Sequence, residues 1–409
     1  MGQKIKKIAL LTGGGDCPGL NAVIRAVTKT AILNYGIEVI GYKFGYRGLY
    51  NNDFVSLNLD SVAGILHRGG TILYSSNKDN LFDYLVEENG VMVKKDVSDV
   101  ANENLKREGV DVLVVIGGDG TLTSARDFAR KGVNVIGVPK TIDNDLSSTD
   151  VTFGFNTAID VATEALDRLH TTAESHHRIM ICEVMGRNAG WLTGAAALAK
   201  TEECEGPDLI YLPEIAFDVD DFLAKVKELL QKKSSIVIAV SEGIKLADGR
   251  YVCELSGGGD YVDAFGHKQL QGTAAYLAGF LGAEIGCKTR SVEFSTLQRS
   301  ASHMASRVDI EEAFMVGGAA VKAADEGYNG NMVVIDRVSD DPYMASAGIY
   351  DVHRIANEEK LVPREWVNKE GNYVTKDFID YVKPLIQGDY QPIMVNGLPR
   401  HLVLDMKKK

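Results

Sequence analysis

The chain has 409 residues, of which 45% are hydrophobic and 24% charged, proportions typical of a folded protein with two or three domains. Its net charge of −12 argues against a nucleic-acid-binding protein and against docking on an anionic membrane surface. No apolar run approaches the roughly 20 residues of a membrane-spanning helix, and the polar start does not resemble a signal peptide. We therefore expect a cytoplasmic protein with no nucleic-acid or membrane partner.

Short apolar runs alternate along the chain with segments of helical periodicity. The apolar runs are rich in β-branched residues and do not alternate with polar ones, which is typical of strands buried on both faces. The predicted strands are 5–11, 112–116, 133–138, 178–184, 209–212 and 236–240. The predicted helices are 20–33, 121–130, 156–170, 191–199 and 222–230.

This alternation predicts an α/β fold with mainly parallel sheets covered by helices. We expect two doubly wound, Rossmann-like domains and a C-terminal extension. The first domain is predicted at 1–145, with about 291–330 returning to it, the second at 146–290, and the extension at 331–409. Ligands of such sheets bind at the carboxyl ends of the strands, and each predicted strand ends there in a polar or glycine-rich loop.

The first of these loops, Gly13-Gly14-Gly15-Asp16, opens a helix. Without side chains, a phosphate can approach the backbone N–H groups, and the helix N-terminus adds positive potential. A simple tight turn is the alternative interpretation.

A second glycine-rich loop, Gly117-Gly118-Asp119-Gly120-Thr121, also follows a strand. A carboxylate beside a phosphate-binding loop suits Mg²⁺, although Asp119 could instead cap the helix. The string alone also occurs in NAD kinases and lipid kinases, which stay open as alternatives at this point.

The segment Thr141-Ile142-Asp143-Asn144-Asp145 places two carboxylates two residues apart. In an extended segment they share one face. Phosphoryl transfer to an alcohol needs a base for the hydroxyl proton and anions for the metal, and this pair could supply both. A turn rich in Asp and Asn is the alternative.

These three segments, with residues 175–190 and Ser241-Glu242-Gly243, occur in the order and spacing of the 6-phosphofructokinase family. The chain resembles that family over roughly its first 300 residues. The resemblance implies Mg²⁺-dependent transfer of a phosphoryl group to the 1-hydroxyl of fructose 6-phosphate. It also implies that the first domain binds the donor and the metal, and that the second domain binds the sugar phosphate.

The resemblance also implies a role for each matching residue. Asp143 is the expected catalytic base, and Thr141 and Arg187 are the other expected catalytic residues. Asp119 is the expected metal ligand. The expected donor-binding residues are Gly15, Gly118, Asp119, Gly120, Thr121 and Lys140. The expected sugar-phosphate-binding residues are Thr141, Asp143, Arg178, Met185, Gly186, Arg187, Glu242, Arg290 and Arg299.

Two of these arginines, Arg178 and Arg290, match residues that reach the sugar phosphate from a neighbouring subunit. The resemblance therefore implies a homodimer or a homotetramer.

The identity of the donor depends on two positions. Family members that use pyrophosphate tend to have Asp where this chain has Gly120, and that carboxylate takes the place of the α-phosphate of ATP. Lys140, in contrast, matches the pyrophosphate-using members. Gly120 leaves the space of the α-phosphate open, and Lys140 attracts phosphate without excluding ATP. We therefore expect ATP as the donor, with pyrophosphate as the alternative donor. A catalytically silent sugar-phosphate sensor is the alternative that is not an enzyme.

Overall fold

The computed structural model describes residues 4–66, 68–256, 270–301, 304–354 and 359–399. The strands are β1 Lys7–Thr12, β2 Glu38–Tyr42, β3 Phe54–Leu57, β4 Tyr84–Glu88, β5 Val91–Lys95, β6 Val112–Gly117, β7 Val135–Thr141, β8 Phe153–Gly154, β9 Ile179–Val184, β10 Leu209–Tyr211, β11 Ile236–Ser241, β12 Thr289–Glu293, β13 Ala305–Ser306, β14 Asn331–Asp340, β15 Tyr343–Asp351, β16 Asp389–Tyr390, β17 Met394–Val395 and β18 Leu398–Pro399.

The α-helices are α1 Leu20–Thr30, α2 Tyr46–Asn51, α3 Ser98–Arg107, α4 Asp119–Arg130, α5 Phe155–His176, α6 Trp191–Gly194, α7 Val219–Leu230, α8 Thr273–Ile285, α9 Leu297–Ser300, α10 Arg307–Asp325 and α11 Lys376–Val382. Every predicted strand and helix has a counterpart here, and the predicted α/β class is confirmed. No helix among the described residues is long and apolar enough to cross a membrane.

The first sheet has the strand order β15-β14-β7-β6-β1-β2-β3, and β8 pairs with β7. Its strands from β14 to β2 are parallel, and β15 and β3 are antiparallel edge strands. β1 shows why this sequence forms a central strand: Ile8 and Leu10 pack in the core that contains α1 and α10, whereas Ala9 and Leu11 pack with α3 and α4. Because helices cover both faces of the sheet, the residues that point to either face are apolar, and the strand shows no alternation of polar and apolar residues.

The second sheet, β10-β11-β9-β12, is entirely parallel. Cys182 of β9 packs in the core that contains α5, and its neighbour Ile181 packs with Phe222 of α7 and Leu277 of α8. As in the first sheet, helices cover both faces, which explains the unbroken apolar runs of β9 and β11.

The domain limits in the structure differ from those expected at two places. Residues 291–293 belong to β12 of the second sheet, and the return to the first domain is made by α10, which packs on α1. Residues 331–351, expected in the extension, form β14 and β15 of the first sheet. Pairing with β14 satisfies the free edge of β7, which would otherwise present unpaired backbone groups.

The remaining tail, described from Glu359 to Pro399, packs against elements of both domains. Trp366, Phe378 and Tyr381 form a ring cluster with Trp191 of α6, with ring centroids 5.3–6.0 Å from that of Trp191. β16 pairs with β13, beside the start of α10. The tail is thus an integral part of the fold.

Candidate active site

Three loops of the first sheet meet at one edge. β7, β6 and β1 are adjacent and parallel, with Thr12 opposite Ile116 and Gly117 opposite Pro139. Their carboxyl ends therefore lie side by side. Each continues into a segment singled out in the sequence, namely 13–16, 117–121 and 141–145.

The first two loops present backbone that is free of side chains. A Cβ atom on Gly13 would lie 2.7 Å from the side chain of Thr121, and one on Gly117 would lie 2.3 Å from it. Gly14 has φ of +82°, in the region that favours glycine. Only glycines let these loops pack so closely, and the resulting surface allows phosphate oxygens to reach backbone N–H groups.

Two cations border this surface. The side chain of Lys140 is buried, and its Nζ donates a 2.8 Å hydrogen bond to the carbonyl oxygen of Gly15. Arg299 Nη1 lies 3.1 Å from the position that a Cβ of Gly15 would take, and it donates a 3.5 Å hydrogen bond to the carbonyl oxygen of Asp16. Burial lowers the pKa of Lys140, and the nearby charge of Arg299 also lowers it, whereas Asp143 opposes the shift. The surface therefore suits an anion.

The third loop holds its carboxylates on a tight turn. Asn144 is fully buried and has φ of +54°, which is uncommon for a residue other than glycine. The backbone N–H of Asp143 donates to Thr141 Oγ1 at 3.0 Å, and the carbonyl oxygen of Thr141 accepts from Thr152 Oγ1 at 2.8 Å. These bonds fix the main chain of Asp143, whose side chain is half-buried.

The carboxylates of this edge interact with one another. Burial raises the pKa of Asp145 to about 7, and the charges of Asp143, Glu359 and Asp119 raise it as well. These carboxylates therefore lie close enough to repel one another. A bound cation would relieve the repulsion.

The donor set fits Mg²⁺ rather than a metal caged by protein alone. Within the described ranges, no group of three or more His, Cys, Asp or Glu side chains could hold a metal. Mg²⁺ is usually held by one or two carboxylates together with substrate phosphates. Asp119, exposed at the first residue of α4 and beside the glycine loops, fits that role.

Two loops of the second sheet abut each other. Strands β9 and β11 are neighbours, and the N–H of Glu242 donates to the carbonyl oxygen of Val184 at 3.0 Å. Ser241 Oγ donates to the carbonyl oxygen of Gly186 at 2.5 Å. A Cβ on Gly243 would lie 1.7 Å from the carbonyl oxygen of Arg187, so a glycine is required there. These contacts hold Arg187 and Glu242 next to each other.

The loops of the two sheets lie close enough for their charges to act on one another, and we call the space between them the cleft. Burial raises the pKa of Glu242 to about 7; the charge of Asp143 adds to this, while Arg299 and Arg187 oppose it. Arg187 Nε is buried with no hydrogen-bond partner in the described part of the chain. An orphaned guanidinium N–H beside a cleft points to an anionic ligand.

A family model described as phosphofructokinase matches residues 7–324 of this chain. The chain belongs to the phosphofructokinase family. The resemblance predicted from the sequence is thereby confirmed. "ATP-dependent 6-phosphofructokinase 2" of Clostridium perfringens is 74% identical over 254 residues, which cover 62% of this chain and 68% of that protein. "ATP-dependent 6-phosphofructokinase 2" of Streptomyces coelicolor is 44% identical over 330 residues, covering 80% of this chain and 90% of that protein.

Solved structures of phosphofructokinases have the same fold. The crystal structure of the pyrophosphate-dependent phosphofructokinase from Nitrosospira multiformis superposes with a TM-score of 0.84 at 27% identity, covering 97% of this chain and 96% of that one. Proteins of the family that are similar to this chain therefore include both ATP-dependent and pyrophosphate-dependent members by name.

Two of the site residues expected of a phosphofructokinase lie away from the cleft. Arg178 directly precedes β9, and Arg290 pairs with Met180 near the start of that strand. The six residues of β9 separate this end of the sheet from the cleft by about 20 Å at a rise of about 3.3 Å per residue. Arg290 is exposed, and Arg178 Nε is buried without a partner among the described residues. The other expected site residues lie on the loops around the cleft.

Two residues of the tail that were not expected at the site contact the loop of Asp143. Lys360 Nζ donates to Asn144 Oδ1 at 3.3 Å, and Tyr381 Oη accepts from Asn144 Nδ2 at 3.0 Å. Both lie outside residues 7–324 that the phosphofructokinase family model matches. No motif marks them, and more than two hundred residues separate them from the loop, so no local pattern could have indicated the contact.

Proposed function

We propose that this chain transfers the γ-phosphoryl group of ATP to the 1-hydroxyl of fructose 6-phosphate, giving the fructose 1,6-bisphosphate of glycolysis. The observation that carries the proposal is the position of Asp143. Its charge acts both on Lys140, beside the glycine loops of the first domain, and on Glu242 of the second domain. Relatives named ATP-dependent 6-phosphofructokinase support the same conclusion.

Asp143 acts as the general base. Its carboxylate takes the proton of the 1-hydroxyl while the hydroxyl oxygen forms a bond to the γ-phosphorus and the bond from phosphorus to ADP breaks. Thr141, whose Oγ1 accepts from the N–H of Asp143, keeps the base in place beside the transferred group. The transition state carries negative charge, and its bonds to the entering and leaving oxygens are weak. Most of the rate acceleration therefore comes from positioning the substrates and stabilising that charge.

The donor lies along the first domain. Gly15, Gly118, Gly120 and Thr121 provide close backbone approach to its phosphates, and Lys140 adds a buried cation. Asp119 would hold Mg²⁺, which supplies neutralisation of the donor phosphates when bound.

The sugar phosphate lies along the second domain, where Met185, Gly186 and Arg187 follow β9. Arg187 offers its unpaired Nε to an anion, and Glu242 accepts from a sugar hydroxyl. Arg299 lies where the two substrates meet, because it contacts the loop of Gly15 and acts electrostatically on Glu242. The domains thus divide the substrates between them.

The active unit is a homodimer or homotetramer in which Arg178 and Arg290 serve a neighbour's site. Both are too far from the cleft of their own chain, and Arg178 has a buried, unpaired Nε. Guanidinium groups suit bidentate binding of phosphate. We place the enzyme in the cytoplasm.

Pyrophosphate is the second candidate donor, and Lys140 is the observation that favours it. Its ammonium group lies 3.3 Å from the position of a Cβ on Gly14, at the surface where a small leaving group would need neutralisation. Gly120 favours ATP instead, because it lacks the carboxylate that would repel an α-phosphate.

The decisive experiment measures phosphorylation of fructose 6-phosphate with ATP, GTP and pyrophosphate side by side, each with Mg²⁺. Turnover with ATP at a higher kcat/KM than with pyrophosphate supports the proposal, and the reverse order supports the second candidate. Binding of fructose 6-phosphate without turnover of any donor would show that the chain is a sensor and would overturn both.

A further inference from the structure

A short segment of the tail lies between the loop of Asp143 and the loop of Arg187. The backbone N–H of Lys360 donates to the carbonyl oxygen of Asp145 at 2.8 Å, and the carbonyl oxygen of Lys360 accepts from Trp191 Nε1 at 2.6 Å. Next to it, Asn188 Nδ2 donates to Glu359 Oε1 at 2.6 Å. The segment thus joins the catalytic loop of the first domain to the residues that directly follow Arg187 in the second.

The side chain of Lys360 closes the catalytic loop on itself. Its Nζ donates to Asn144 Oδ1 at 3.3 Å, to the carbonyl oxygen of Thr149 at 3.1 Å and to that of Asp150 at 2.7 Å. Its ammonium group also lies 5.3 Å from the ring centroid of Trp191. All three acceptors belong to the loop, so one cation gathers both ends of residues 144–150.

Tyr381 of α11 completes this arrangement. Its hydroxyl accepts from Asn144 Nδ2 at 3.0 Å and donates to the carbonyl oxygen of Asp150 at 2.6 Å. Both ends of the Asn144 side-chain amide are therefore held by the tail, while its Oδ1 also accepts from the N–H of Thr152 at 3.2 Å.

The turn at Asn144 needs such support. Its φ of +54° lies in the left-handed region, which a residue other than glycine keeps where its surroundings hold it there. Asn144 separates Asp143 from Asp145, so relaxation of its backbone would turn the carboxylate of Asp143 away from the cleft. The contacts that resist this relaxation come from Lys360, Tyr381 and Thr152.

We infer that Lys360 and Tyr381 are positioning residues for the phosphoryl transfer: from the tail, they hold the turn at Asn144 and so aim Asp143 at the acceptor hydroxyl. The expected effect on kcat rests on the proposed function, whereas the expected effect on the structure of the loop does not. Because a displacement of about 1 Å can cost on the order of 10²-fold in rate, losing these contacts should lower kcat while the substrates still bind.

The kinetic test uses Lys360→Met and, should that variant fold poorly, Tyr381→Phe. We expect kcat with ATP to fall by roughly 10- to 100-fold and the KM values of both substrates to change by less than about threefold. Lys376→Met is the matched control, since Lys376 is an exposed lysine of α11 paired with Asp380, and it should keep the kcat of the natural chain. Unchanged kcat in Lys360→Met and Tyr381→Phe would overturn the inference.

A second control separates positioning from loss of stability. Leu385 of the tail is fully buried and makes none of the hydrogen bonds to the catalytic loop described above. Leu385→Ala should therefore lower the melting temperature, yet keep the kcat of the natural chain at temperatures well below that melting temperature. If it lowered kcat as much as Lys360→Met does, the effect would be one of stability, and the inference would fail.

Hydrogen exchange gives a measurement that does not need turnover. In Lys360→Met, peptides covering 141–152 should exchange faster, while peptides covering 376–386 should keep their protection. Equal protection of 141–152 in the variant and the natural chain would contradict the positioning role. If the natural chain failed to phosphorylate fructose 6-phosphate, the proposed function would fall, and the exchange result would still decide whether the tail holds the loop.

Discussion

The Nζ atom of Lys140 donates a 2.8 Å hydrogen bond to the carbonyl oxygen of Gly15. This bond joins the end of β7 to the glycine loop that follows β1, and it holds a buried cation three residues before Asp143, the proposed base. The proposed donor surface and the proposed base are thus tied together through β1 and β7.

Removing the base should remove most of the activity. Asp143→Asn keeps the size of the side chain and loses its capacity to accept a proton, so kcat should fall by about 10²-fold or more. Binding of fructose 6-phosphate, measured by calorimetry, should persist. Asp220→Asn, at an exposed position of α7, is the matched control. A variant at Asp143 with ordinary turnover would mean that another group is the base.

The position of Gly120 should decide whether ATP is accepted. In Gly120→Asp, a carboxylate would meet the α-phosphate of ATP, and such like-charge contact costs several kcal/mol. We expect kcat/KM for ATP to fall by roughly 10²-fold and that for pyrophosphate to fall much less. Gly120→Ala controls for bulk without charge. Equal losses for the two donors would show that this position does not select between them.

Lys140 should matter more for pyrophosphate than for ATP. In Lys140→Met, a buried apolar chain replaces the cation, so any turnover with pyrophosphate should be lost, while kcat/KM for ATP should fall by a smaller factor. The measurement is the ratio of the two kcat/KM values, and Lys227→Met, at an exposed position of α7, is the control. A ratio that does not change would argue against a role for Lys140 in choosing the donor.

The ligand-free protein should become less stable as pH rises towards neutrality. Burial raises the pKa of Glu242 from 4.5 to about 7, so between these values the folded chain binds more protons than the unfolded one. The free energy of unfolding therefore falls as pH rises through this window. Glu242→Gln removes that loss and should be more stable than the natural chain at pH 8, by up to ~3 kcal/mol, with little difference at pH 4.

Urea denaturation at the two pH values checks this prediction. Glu284→Gln, at an exposed position of α8, should follow the natural chain at both. If Glu242→Gln and the natural chain showed parallel dependence on pH, the carboxyl of Glu242 would not be held in its neutral form by burial.

Subunit complementation should reveal the shared sites. Arg290→Ala alone should raise the KM for fructose 6-phosphate and leave that for ATP nearly unchanged, because the arginine lies at the end of β12 away from the donor loops. Mixing inactive Asp143→Ala chains with Arg290→Ala chains, followed by subunit exchange, should restore sites that carry both residues. Activity no greater than the sum of the separate variants would place Arg290 outside the neighbour's site.

The site could be predicted from the sequence where the fold itself brings motifs together. The carboxyl ends of the parallel strands of a sheet lie at the same edge. The glycines after β1 and β6 and the aspartates after β7 were therefore expected to lie near one another, and the structure brings them together. Arg187 and Glu242 were expected from the resemblance to the family, and the structure brings them together because β9 and β11 are neighbours.

Contacts made by chain distant in sequence could not be predicted in this way. Residues 331–351 were expected in an extension, because no pattern in the neighbouring sequence indicates that Met332 pairs with Gly137. Lys360 and Tyr381 carry no signature, because an isolated lysine or tyrosine in a tail most often lies at the surface. The packing of Trp366 and Phe378 on Trp191 helps to bring them to the loop of Asp143.

The pairing of β7 with β14 also affects how the molecule folds. The first domain takes β14 and β15 from chain that follows the whole second domain, with Asn331 opposite Ile136. During synthesis, the edge of β7 that later pairs with β14 therefore stays unpaired until residues 331–351 have been made. Contacts between residues so distant in sequence form slowly. The two domains should consequently acquire their final structure in the reverse of their order in the chain, with the second sheet complete before the first.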